Sequence, residues 1–74
     1  MEDHHRRVIK AMQRHAPGMQ ATLVRERKHV VVDFALNDKT YRAVMSKSPR
    51  DVDHLLRTTT AEICKAFELP KINL

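Results

Sequence analysis

Cysteine is almost missing from this 74-residue chain: there is one, Cys64, and a lone thiol cannot build an intramolecular disulfide framework. Long apolar runs are missing too, since nothing approaches the roughly 20 residues that span a bilayer. The opening stretch, Met1-Glu2-Asp3-His4-His5-Arg6-Arg7, has no apolar core of the kind a secretory leader needs. A soluble protein of a reducing, cytoplasmic compartment is therefore expected. Aromatic residues are few, with two Phe, one Tyr and no Trp, which argues against a platform on which bases stack. The length allows a single domain, residues 1–74, and a chain this short buries only about 60% of the surface it exposes when unfolded. One thin core fits, whereas a deep pocket or a large cofactor does not.

What the chain does have is positive charge. Fourteen Lys and Arg against nine Asp and Glu give a net charge of +5. A small surface with that excess attracts polyanions, and nucleic acid is the commonest of these in a cell. The cations cluster at Arg6-Arg7, Arg14, Arg25, Arg27-Lys28 and Lys47-Ser48-Pro49-Arg50. Without aromatic platforms, such clusters read backbone and shape more than base sequence.

Periodicity supplies the elements. From Asp3 to Arg14, Val8, Ile9 and Met12 recur at helical spacing, and Pro17-Gly18 stops the helix. Met19 to Arg25 reads as a strand, and Glu26-Arg27-Lys28 is a short charged connector. A second strand runs from His29 to Ala35. Its alternation puts Val30, Val32 and Phe34 on the core face, with His29, Val31 and Asp33 on the other. Asn37-Asp38 suits a polar turn. The third strand, Thr40 to Ser46, has Tyr41, Ala43 and Met45 on one face and Arg42, Val44 and Ser46 on the other. Ser48-Pro49-Arg50-Asp51 reads as the start of a second helix, with Ser48 as N-cap, Pro49 in the first helical position and Asp51 as the reciprocal acid. The helix behind it buries Val52, Leu55, Leu56, Thr59, Ile63, Ala66 and Phe67. Leu69-Pro70 ends it, and residues 70–74 form a loose tail. The expected fold is α+β: an α-β-β-β-α order, with two helices on one face of a three-stranded antiparallel sheet. The open face is where a partner can lie.

His29 is the residue best placed for chemistry. It opens the central strand directly after Arg27-Lys28 and points away from the core. A neutral imidazole can take the proton of a ribose 2′-hydroxyl while cations offset the phosphate charge. Those are the minimum parts of a metal-free ribonuclease. A solvent-facing histidine with no task has the same spacing. His4-His5, His15 and His54 read as surface histidines without zinc-ligand spacing, so no metal is expected. Cys64 reads as a small core residue.

These features together resemble the HicA family, small bacterial and phage mRNA interferases with a double-stranded-RNA-binding-domain-like fold. The resemblance rests on element order, on Arg25 through His29 leading into Val30-Val31-Val32, and on Val44-Met45-Ser46-Lys47-Ser48-Pro49-Arg50-Asp51 as the join from third strand to capped helix. That join looks most like the short phage-borne members. The resemblance implies a catalytic His29, an mRNA substrate, a HicB-type antitoxin partner and no cofactor. Arg25, Arg27, Lys28, Arg42 and Lys47 would then contact RNA. Typical members carry Gly-Ser before the histidine, where this chain has Arg27-Lys28 in a connector one residue shorter. A non-catalytic basic nucleic-acid-binding module, and a phage accessory protein that binds another protein, are the alternatives the residues also allow.

Overall fold

Alternation in the central strand decides the architecture. The computed structural model describes residues 1–73 and runs α1 (Asp3–His15), β1 (Gln20–Glu26), β2 (His29–Leu36), β3 (Lys39–Ser46) and α2 (Val52–Ala66). The strands form one antiparallel sheet in the order β1-β2-β3, and both helices cover one face of it. Val30, Val32 and Phe34 are fully buried, in a core shared with Ala43 and Met45 from β3, Val8 and Met12 from α1, and Leu56, Ile63 and Cys64 from α2. The expected α+β fold and the facing of the central strand are both present.

The β2–β3 hairpin closes through Asn37-Asp38, with Leu36 opposite Lys39 and Asn37 in the left-handed region at φ 56°. Asparagine tolerates that conformation better than most side chains. At the first turn, Gly18 supplies φ 98°, which any Cβ would strain. The end of α2 has no glycine to spare. Glu68 takes the left-handed position at φ 57°, and the Leu69 and Glu68 amides donate to the carbonyls of Cys64 and Lys65. This double bond pattern satisfies two terminal carbonyls.

α2 begins later than the Ser48 cap implies. Its N-cap is Asp51, whose carboxylate accepts from the His54 amide at 3.1 Å, and Ser48-Pro49-Arg50 stays in the connector. A start at Ser48 would put Arg50 in the first turn, against the positive end of the helix dipole, whereas Asp51 as cap places an anion there. Of the three consecutive threonines inside α2, two back-bond to the preceding turn: Thr58 Oγ1 donates to the His54 carbonyl at 2.8 Å and Thr60 Oγ1 to that of Leu56 at 2.6 Å.

The start of α1 departs most from expectation. His5, read as a surface residue, is completely buried. Its Nδ1 accepts from the Glu2 amide at 3.2 Å, and its Nε2–H donates to the Ser46 carbonyl at 2.8 Å. In the third helical position, the imidazole takes the reach-back part that Glu or Gln has in a capping box. Next to it, His4 Nε2–H donates to the Lys47 carbonyl at 3.1 Å. Two successive imidazoles thus fasten the start of α1 to the end of β3. Burial holds the His5 pKa below its ordinary value near 6.5, and the neighbouring His4 and Met1 amino group push the same way.

After α2, the chain touches the body again. His15 Nε2–H donates to the Pro70 carbonyl at 2.6 Å, and Leu69 and Ile72 pack against the core. The residue at the end of the expected loose tail, Leu74, lies outside the described residues.

Candidate nucleic-acid interface

The open face of the sheet owes its chemistry to an irregularity in β1. Pairing with β2 runs from Gln20 opposite Ala35 to Leu23 opposite Val32, then resumes with Arg25 opposite Val31. Val24 is the extra residue of a β-bulge. In an unbroken strand, Arg25 would follow Leu23 onto the helix-covered face. The bulge advances the alternation by one, so Arg25 lies on the open face and Glu26 falls opposite buried Val30. Glu26 there is paired with the Met1 amino group, which holds its carboxyl below the usual range.

Across the open face, residues meet in rows. Arg25, Val31 and Val44 form one row, and Thr22, Asp33 and Arg42 form the next. Beyond the first row lies the β1–β2 connector, tightened by a bond from the Arg27 amide to the His29 carbonyl at 3.1 Å. The result is an open cleft of about 490 Å³ lined by Arg25, Arg27, Lys28, His29, Val31 and Val44. Its floor is apolar, with Val44 60% exposed, and its wall is cationic.

Four of the six residues picked from sequence, His29, Arg25, Arg27 and Lys28, therefore share one cleft. The other two are elsewhere. Arg42 is held by Asp33 through two bonds, Nε to Oδ1 at 2.8 Å and Nη2 to Oδ2 at 3.2 Å. That bond lowers the Asp33 pKa and raises that of Arg42, so the pair presents little net charge to a ligand. Lys47 lies beyond β3, exposed and outside the cleft lining. The floor valines add what the cationic clusters could not reveal. Their signal was alternation, which puts them on the outward face, but nothing in the composition says they adjoin Arg25.

Chemically, the cleft can hold a phosphate against Arg25, Arg27 and Lys28 with an imidazole beside it. Among the described residues no hydrogen bond fixes the His29 ring, and no group of three His, Cys, Asp or Glu side chains could hold a metal ion. Cys64 is buried in the core, where desolvation raises its pKa and disfavours a thiolate. No helix among the described residues is long and apolar enough to cross a membrane. No protein-family model, curated protein or solved structure matches the chain.

Proposed function

We propose that this protein is a HicA-like RNA-binding protein that cleaves mRNA without a metal, with His29 as general base. One observation carries it: His29 shares an open cleft with three cations, Arg25, Arg27 and Lys28. A phosphodiester on those cations brings a ribose 2′-hydroxyl to the imidazole. His29 takes the hydroxyl proton, O2′ attacks phosphorus, and the 5′-oxygen leaves with a proton from water. The products are a 2′,3′-cyclic phosphate and a 5′-hydroxyl. The cations balance the charge that builds on the phosphoryl oxygens. The family resemblance adds a HicB-type antitoxin as the partner that covers the cleft, and a small acidic HicB-like reading frame next to this gene would support it.

Purified protein and a His29→Ala variant, each incubated with mRNA in EDTA, test the catalytic step. Cleavage by the native protein alone, leaving cyclic phosphate ends, is the expected result. Equal RNA loss with both proteins, or none with either, removes it.

A second reading follows from the unbonded His29 ring. General bases are commonly oriented by a third group, and a cleft without one suits a module that binds RNA and leaves it intact. That protein would show affinity falling steeply with salt, about −2 in log K against log salt for three phosphate contacts on a single strand. His29→Ala would leave that affinity nearly unchanged.

A further inference from the structure

The cleft pairs charge with an apolar floor, and the two halves call for different parts of a ligand. Arg25, Val31 and Val44 lie in one row across three strands, so a cation and two valines are spaced over about 10 Å, two inter-strand intervals. Arg27, Lys28 and His29 stand over the β1–β2 end of this row. On its other side, Asp33 and Arg42 neutralise each other and offer a phosphate little charge to hold it. An anion is thus directed toward the connector, and whatever is attached to it extends over Val31 and Val44.

We infer that the cleft seats one unpaired nucleotide of an RNA strand, with its phosphate on Arg25, Arg27 and Lys28 and its base lying flat on Val31 and Val44. This rests on the RNA reading above and adds to it a strand preference. A duplex keeps its base faces stacked inside and offers only sugars, phosphates and polar base edges, so it leaves both valines facing water or polar groups. An unpaired base covers them. Valine has no hydrogen-bonding groups with which to tell one base from another, so the seat selects single strands without selecting sequence. Val44, 60% exposed at the middle of a strand, is then a contact surface, and the bulge at Val24 is the device that brings Arg25 to its end of the row.

The test measures binding at low salt, using a short 2′-O-methyl RNA strand that cannot be cleaved through its 2′-oxygen. Fluorescence anisotropy compares this strand with the same strand annealed to its complement. The proteins are the native chain, Val44→Thr, and Val31→Thr/Val44→Thr, changes that keep shape and strand propensity, with folding checked by circular dichroism. The native protein should prefer the single strand. Each valine replaced should weaken single-strand binding about fourfold, the value of one buried methyl group, and the double variant about fifteenfold, with duplex binding unchanged. Duplex binding as tight as single-strand binding, with no effect of the threonines, overturns the nucleotide seat and leaves the RNA reading standing. No binding of either form overturns both.

Discussion

The two sides of the sheet each own a histidine, and the two meet at the same residue. His5, on the helix side, donates to the carbonyl of Ser46. His29, on the open side, pairs with Ser46 in the strand register. His5 is sealed from water with both ring nitrogens engaged, while His29 is exposed in a cationic cleft. A saturated, buried imidazole has no lone pair and no proton to lend, so its contribution is to fasten α1 to β3. An exposed one is available. The difference gives the helix side a fastening histidine and leaves the open-side imidazole free for the proposed chemistry, and it can be attacked at each level.

The largest effect should come from the centre of the helix side. Phe34 is the largest of the fully buried side chains. Truncating a buried phenylalanine costs about 3–5 kcal/mol, and a whole domain of this kind has only about 5–15 kcal/mol to lose. Phe34→Ala should therefore leave the protein largely unfolded or close to it, as read by urea denaturation. A mild effect would mean that the helices do not seal this face.

Next comes His5 itself. His5→Leu keeps an apolar volume but strands the Ser46 carbonyl and the Glu2 amide, at about 1–3 kcal/mol for an unsatisfied buried group. The same residue gives the protein a pH dependence with a definite sign. Its folded-state pKa lies below the ordinary value near 6.5, so the unfolded chain takes up the proton first. Its contribution is complete above pH 6.5 and is lost as pH falls through that value toward the folded pKa. Protonation also turns Nδ1 into a donor facing the Glu2 amide. The lowered carboxyls of Glu26 and Asp33 work in a lower window, because their contributions are lost only as pH falls below the ordinary carboxylate range. Denaturation midpoints between pH 7.5 and about 5.5 should fall for the native protein and stay flatter for His5→Leu. Parallel slopes would move the titration to another histidine.

The contrast also explains what the sequence could and could not convey. The core face of β2 was legible because alternation needs only neighbours along the chain, and the Asn37-Asp38 turn because two adjacent side chains determine it. His5 was not legible. Its partner lies 41 residues away, and beside Asp3, His4 and Arg6 it looks like any charged helix start. The bulge at Val24 was equally silent, since the unbroken alternation of β1 would send Arg25 to the wrong face. The bond between Arg42 and Asp33 was not legible either, because the two face each other from neighbouring strands and lie nine residues apart in the chain. The Ser48 cap failed for a local reason: two capping residues lay three apart, and the helix used the one that keeps Arg50 out of its first turn.

The smallest effect on stability should come from His29. Its side chain is exposed, carries no hydrogen bond among the described residues and sits at the first position of β2. His29→Ala should leave the denaturation midpoint at pH 7.5 within the ~0.5 kcal/mol scatter of surface substitutions, while abolishing the proposed RNA cleavage. The null stability result is the informative half, because it separates loss of a base from loss of a fold. A destabilisation as large as that of His5→Leu would mean that His29 also helps to hold the end of β3. The division between a fastening histidine and a reactive one would then fail on the open side, where the cleft depends on it.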